Sequence, residues 1–407
     1  MWEAPTTTNG FRNRKTNGKP QHHTRRKVQI QLRQSTTGIS EKRIALSWQS
    51  FFRSRSDLHN KLKLDVTAKL PIALIRNFVL FINDTNKMTN QTILVTGGTG
   101  FVGIHTILQL LQKGYHVNTT LRSLSKKDSI LNALKEAGID DFTALAFFEA
   151  DLTSDTGWEE AVAGVDYVLH VASPFPAQDP RDENELIIPA RDGALRVLKA
   201  AQKAGVKRVV LTSSFAAIGY SRNPKDHLFT EEDWTDATAA IPPYIKSKTV
   251  AEKAAWEYIE TEGGNLELTV INPVGIFGPV LGGISSASLD IAVSGILNGV
   301  IRESPNFTMG VVDVRDVAAI HLTAMTHPEA GGERFIATSD GVMSFYDVAE
   351  LFKKERPEWA EKIADMQPTP NEFYIEMTNH KAKTVLGWQP RSKEAALLAS
   401  VDSLPRN

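Results

Sequence analysis

From Gln91 onward, short apolar runs alternate with longer stretches in which apolar residues recur at helical spacing. Thr92–Val95, His116–Leu121, Ala144–Glu149, Asp166–Val171, Arg208–Leu211 and Leu266–Ile271 read as strands. Helical periodicity falls between them, at roughly 101–113, 126–138, 156–163, 185–204 and 242–261. Gly114, Gly138, Gly164 and Gly205 stand where those helices should stop. Such alternation predicts an α/β fold, a Rossmann-type doubly wound parallel sheet with helices on both faces. After Pro273 the order loosens into Gly-, Pro- and Ser-rich loops with scattered helices. That is the habit of a smaller C-terminal portion lying over the carboxyl edge of the sheet, where a substrate binds. The expected division is a sheet domain over 88–272 and a mainly substrate-binding portion over 273–407, packed as one unit without a linker.

The first 87 residues follow neither period up to about residue 65. They carry 17 Lys and Arg against 5 Asp and Glu, whereas residues 88–407 carry 29 against 42, so the net charge of −1 joins two unlike sequences. The apolar stretch Leu70–Ile82 is interrupted by Arg76-Asn77 and falls short of the ~20 residues a membrane span needs. Residues 1–87 therefore read as a basic, disordered extension, with Met88 as the working start of the domain. A targeting peptide is the main rival. A nucleic-acid-binding arm comes after it, and without aromatic interleaving or a binding motif no nucleic-acid partner is expected.

Residues 91–103, Gln-Thr-Ile-Leu-Val-Thr-Gly-Gly-Thr-Gly-Phe-Val-Gly, carry the first chemical signal. Gly97, Gly100 and Gly103 fall between a buried strand and an apolar helix, where the backbone can approach a pyrophosphate and the helix N-terminus offers free N–H groups. The context makes this a dinucleotide site. An acidic residue after the second strand would select NAD(H). This chain has Leu121-Arg122-Ser123 with Lys126 and Lys127 following, which favours NADP(H). Asp151-Leu152 closes the third strand and would sit at the adenine. Val171-Ala172-Ser173-Pro174 closes the fourth and would line the nicotinamide ribose.

Tyr244 and Lys248 lie four residues apart on a predicted helix, hence on one face. A nearby cation favours a phenolate, so the pair can act as a general acid or base. Ser213-Ser214 ends the strand Arg208–Leu211, where a hydroxyl can hold a carbonyl oxygen beside the Tyr. Other residues get a structural reading. The ten histidines lack metal-site spacing, so no metal is expected. Glu231-Glu232-Asp233 read as a solvated loop, and Trp256, Trp359 and Trp388 as core. Leu281, Ile284, Leu289, Ile291 and Val293 suggest a largely apolar pocket. Zero cysteines exclude disulfides and thiolate chemistry and suit a reducing compartment, here the cytoplasm.

Residues 91–407 resemble the extended short-chain dehydrogenases/reductases of the dihydroflavonol 4-reductase-like branch, close to the microbial NADPH-dependent aldehyde and methylglyoxal reductases. The resemblance rests on Thr96–Gly103, the Arg122 position, Thr212-Ser213-Ser214, Tyr244–Lys248 running on into Thr249-Val250-Ala251-Glu252-Lys253, and Asn272–Pro279. Val312–Ala318 and Leu386–Arg391 also match. It implies cofactor contacts at Gly97, Thr99, Gly100, Phe101, Val102 and Gly103, at Arg122 and Lys126, and at Asp151 and Leu152. Further contacts are implied at Val171, Ala172 and Ser173 and at Pro273 and Val274. Tyr244 would protonate a carbonyl oxygen, Lys248 would hold the nicotinamide ribose and lower the Tyr pKa, and Ser214, preferred over Ser213, would orient the carbonyl. The Asn-Trp-Tyr-Cys-Tyr-Gly-Lys element of cinnamoyl-CoA reductases is absent, with Pro242-Pro243-Tyr244 in its place. The expected partner is a small-molecule aldehyde or ketone, and the expected state a monomer or homodimer. Two rivals stay open: a nucleotide-sugar epimerase or dehydratase, and a non-catalytic cofactor-sensing protein on the same fold.

Overall fold

A parallel strand buried on both faces needs an unbroken apolar run, and Ile93, Leu94 and Val95 in β1 (Thr92–Thr96) are fully buried. The computed structural model describes residues 90–174, 182–222 and 227–404. The basic segment 1–87, its apolar stretch Leu70–Ile82 and Met88 lie outside the described residues.

All six expected strands form, with ends shifted by a residue or two. After β1 come β2 (His116–Leu121), β3 (Leu145–Glu149), β4 (Tyr167–His170), β5 (Arg208–Thr212) and β7 (Glu267–Pro273). They pair in parallel with an unanticipated seventh strand, β10 (Arg334–Ala337), in the order β10-β7-β5-β4-β1-β2-β3. The helices between them are α1 (Phe101–Lys113), α2 (Lys127–Glu136), α3 (Trp158–Val162), α4 (Asn184–Lys203) and α5 (Pro243–Thr261). The four glycines expected to stop helices all have positive φ.

Alternate residues of β1 feed two cores. Ile93 and Val95 pack with Ile104 and Ile107 of α1, Ile130 and Leu134 of α2, and Val317 and Ile320 of a later helix. Leu94 packs on the other face with Trp158, Val197, Leu198 and Tyr258 from α3, α4 and α5. Helices therefore cover both faces of the sheet.

Past β7 the chain makes a small sheet, β11-β9-β8, from β8 (Gly275–Phe277), β9 (Met309–Asp313) and β11 (Val342–Met343). A pair joins β6 (Leu228–Phe229) to β12 (Glu376–Met377). The remaining helices are α6 (Gly295–Leu297), entered through a π-helical turn at Leu289–Ser294, then α7 (Val314–Thr326), α8 (Phe345–Glu355), α9 (His380–Val385) and α10 (Lys393–Ser403). Helix α7 and strand β10 return to the large sheet, so the chain after Pro273 shares its core.

Two local expectations are corrected. Leu289 and Val293 are fully buried in the core rather than lining a pocket, because the π turn packs them beside Ile296 and Leu297. Of Glu231-Glu232-Asp233 only Glu232 is exposed. Glu231 turns inward to accept the Ile336 N–H at 2.9 Å, and Asp233 accepts the Thr230 N–H at 2.9 Å. Backbone donors without another acceptor pull both carboxylates in. Among the described residues no helix is long and apolar enough to cross a membrane, and no cluster could hold a metal ion.

Candidate active site

Strand order reverses beside β1, which lies between β4 and β2. The carboxyl ends of β1 and β4 thus open a crevice, the usual ligand position in such sheets. Gly97 leaves β1 at φ 74, and a Cβ there would meet Ala172 Cα at 3.0 Å, so the turn runs against the end of β4. Thr96 joins the two strands. Its Oγ1 accepts the N–H groups of Val171 and Ala172 at 3.1 and 3.0 Å and lies 2.8 Å from His170 Nδ1.

Gly100 caps α1 in extended conformation, and the first helical bond runs from Ile104 N to Gly100 O at 3.0 Å. The N–H groups of Phe101, Val102 and Gly103 therefore have no acceptor within the helix. Phe101 and Val102 bury their side chains in the core, while Thr99 and Gly100 are exposed. A Cβ on Gly103 would sit 2.3 Å from the Gly97 carbonyl oxygen. A backbone cradle that no side chain may enter, ending in free N–H groups at a helix start, suits a pyrophosphate. Gly103→Ala should therefore destabilise the fold by about 1–3 kcal/mol through overpacking. Scanning fluorimetry should show a lower melting temperature and a smaller rise on adding NADPH; an unchanged melt would refute this account of the turn.

At the other end of the crevice Arg122 is exposed just past β2. The Ser123 hydroxyl caps the following turn by accepting the Ser125 N–H. Lys126 is exposed in that turn, whereas Lys127 lies 5.2 Å from the Phe147 ring centroid. Asp151 is held by Thr153, whose N–H and hydroxyl donate to it at 2.8 and 2.6 Å. Those bonds, with Arg122 and Arg196 nearby, keep its carboxyl below the usual range. Leu152 packs against Gly193 of α4, and with Ala172, Ser173 and Lys248 it lines one narrow cavity.

Helix α5 starts at Pro243, whose missing N–H costs nothing in a first turn. Tyr244 in the first turn and Lys248 one turn on share a face, with the Lys248 Nζ 5.7 Å from the Tyr244 ring centroid. Lys248 also donates to Ser173 Oγ at 2.7 Å. Loss of hydration lowers its pKa to about 8, so at neutral pH most of it remains ammonium. Burial pushes the Tyr244 phenol up, and a hydrogen bond with Ser214 pulls it partway back. This differs from the expected lowering by Lys248: burial of the phenol is the largest cause, and the lowering contribution comes from Ser214. The phenol is therefore held in its protonated form.

The two serines separate cleanly. Ser213 Oγ donates to the buried Glu252 carboxylate, whereas Ser214 Oγ accepts the Ala216 N–H at 3.1 Å and hydrogen-bonds Tyr244. Pro273 ends β7 in the interior, and the half-buried Val274 donates its N–H to Ala337 O at 3.3 Å. The structure thus groups Ser214, Tyr244, Lys248 and Ser173, with the glycine turn beside them. Thr96, Glu252 and Asn272 join the site as well; each lies in a motif stretch, but its role depends on partners distant in sequence.

The family described as NAD dependent epimerase/dehydratase matches residues 93–337. A cinnamoyl-CoA reductase of Medicago truncatula is 32% identical over 322 residues, covering 77% of this chain and 95% of that protein. An anthocyanidin reductase of Vitis vinifera is 36% identical over 286 residues, covering 66% and 82%. Among solved structures, yeast methylglyoxal/isovaleraldehyde reductase Gre2 complexed with NADPH superposes with a TM-score of 0.68 at 29% identity, covering 77% of this chain and 98% of that one.

Proposed function

The chain belongs to the NAD dependent epimerase/dehydratase family, and within it we propose an NADPH-dependent reductase that turns an aldehyde or ketone into an alcohol. Bound NADPH supplies the hydride. The residues of this chain do the rest. Ser214 holds the carbonyl oxygen next to the Tyr244 hydroxyl, and Tyr244 gives that oxygen its proton as negative charge develops there. Lys248 anchors the nicotinamide ribose and keeps a positive charge beside the phenol as it loses its proton. The glycine turn and the first N–H groups of α1 take the pyrophosphate. Arg122, with Lys126 behind it, takes the 2′-phosphate.

The observation that carries this reading is the hydrogen bond between Ser214 and Tyr244 with the Lys248 ammonium on the same helix face. A dehydratase needs an acidic group beside the catalytic hydroxyl, and the residue after Ser214 is Phe215, buried against Phe229. The buried acid in this region, Glu252, is taken up by Ser213 instead. The proposal extends to action in the cytoplasm on a small carbonyl compound, as a monomer or homodimer. A CoA thioester is not the expected substrate, because Pro242-Pro243 precedes the tyrosine here.

The test offers purified protein NADPH or NADH with methylglyoxal, isovaleraldehyde, aryl aldehydes, diketones, a dihydroflavonol and UDP-glucose. NADPH-dependent turnover of an aldehyde or ketone is expected; activity on UDP-glucose alone would replace the reading. Arg122→Asp should then shift the kcat/KM preference toward NADH by about 1–3 kcal/mol, as a charge-assisted contact becomes repulsion. A wild-type preference for NADH would refute the role given to Arg122.

A further inference from the structure

Beneath Ser214 lies a buried polar network that the reaction as described does not use. Its hub is Glu252, which follows Tyr244 and Lys248 at four-residue steps along α5 and is 1% exposed. One carboxylate oxygen accepts the Ser213 hydroxyl and the Asn272 amide, the latter at 2.7 Å. The other accepts Arg334 Nε at 2.6 Å and Trp256 Nε1 at 3.3 Å. Arg334 is itself fixed. It donates to the carbonyls of Glu231 and Asp233 at 2.6 and 3.0 Å, and its guanidinium stacks 3.7 Å from the Trp234 ring centroid.

The same Asn272 amide reaches the Ser214 carbonyl at 3.2 Å. Because both neighbours of that NH₂ group are acceptors, the amide can face only one way. Its Oδ1 is left buried without a partner. Arg334 Nη2 is likewise buried without a partner in the same network, and such atoms are uncommon in protein interiors. The contacts form a line from β10 through Arg334, Glu252 and Asn272 to the peptide carrying Ser214.

We propose that Glu252, acting through Asn272, is a positioning residue for Ser214. It fixes the peptide so that the hydroxyl meets Tyr244, and the proposal rests on the roles given above to that pair. A carboxylate is required because the position faces four donors. A glutamine offers one acceptor oxygen and an NH₂ group. Turned toward Arg334, that NH₂ meets a donor; turned toward Asn272, it makes the Asn272 amide flip and release the Ser214 carbonyl. Displacing a catalytic group by a fraction of an ångström is enough to slow a proton transfer that depends on alignment.

A double-mutant cycle tests this on the full chain. Asn272→Ala and Glu252→Gln are each made alone and combined with Ser214→Ala. Turnover is followed with NADPH and methylglyoxal, or the carbonyl of the panel with the highest turnover. Each single variant should lose about tenfold in kcat, with the NADPH Kd within about twofold of wild type and no further loss in the Ser214→Ala background, because coupled residues are not additive. Asn272→Ala leaves the Glu252–Arg334 pair in place and is the variant expected to fold like wild type. A kcat within about twofold of wild type, or a loss that persists in full without the Ser214 hydroxyl, would overturn the proposal, since additivity marks independent action. Ser214→Ala with normal turnover would overturn the reading of the site itself.

Discussion

Tyr244→Phe is expected to lose at least about 100-fold in turnover while keeping its affinity for NADPH. In the proposed mechanism the phenol is the acid; it hydrogen-bonds Ser214, and burial raises its pKa. Replacing it by phenyl leaves the ring contact with Lys248 and deletes only the proton donor. A 100-fold loss corresponds to about 2.7 kcal/mol of transition-state stabilisation. Because Lys248 and Ser173 still bind each other, the ribose end of the site should stay formed. The check is kcat with the best carbonyl substrate, beside NADPH Kd by fluorescence and a thermal melt. Near-normal turnover with a normal fold would mean that another group supplies the proton, and the mechanism would have to be rebuilt.

Much of the sheet was legible because buried parallel strands need continuous apolar runs, which β1 and β5 show plainly in Ile93–Val95 and Val209–Leu211. The later strands escaped for a physical reason. β8 spans three residues and β10 four, one of them Arg334, too short to show a period and held by neighbours distant in sequence. Tyr244 and Lys248 were legible because their relation is local to one helix. Glu252, Asn272, Ser213 and Arg334 meet across sequence separations of 20 to 82 residues, which no window on the sequence connects. Glu231 misled for the converse reason. A run of carboxylates reads as solvated until the strand whose N–H it accepts is known.

Stability should fall steeply as pH drops below about 6.5, the ordinary histidine value. His105, His170 and His321 are each at most 2% exposed. Burial lowers their pKa values to about 4, about 3 and about 4. Burial is the largest cause in each case and outweighs the backbone bonds of His105 and His321, which favour the charged ring, while the bonding fixes which ring nitrogen carries the proton. His321 Nδ1 must donate to the Val317 carbonyl at 2.7 Å, which leaves Nε2 to accept from Thr212. Thr96 Oγ1 already accepts two N–H groups, so its own proton goes to His170 Nδ1. His105 Nε2 donates to the Pro279 carbonyl at 2.9 Å, and its ring packs edge-on to Phe101. With folded pKa values below the unfolded one, the stability is fully present above pH 6.5 and is lost as pH falls toward the folded values. In that window the unfolded chain binds three protons that the folded chain refuses, a slope approaching about 4 kcal/mol per pH unit. Glu231 and Asp316, whose carboxyls burial pushes up, act in the opposite sense and soften the loss at the acid end. Accumulated down to pH 4, the histidine loss is on the order of 9 kcal/mol, comparable with the total of about 5–15 kcal/mol for an ordinary domain, so much of the stability should be gone by then. Urea titrations at pH 7.5, 6.0 and 5.0 would measure the slope, and His105→Gln should reduce it by about a third, one titrating group of three. Equal stability at pH 7.5 and 5.0 would show that these histidines do not govern it. Because His170 bonds Thr96, which ties the end of β4 to the glycine turn, acid should loosen the nucleotide crevice along with the core.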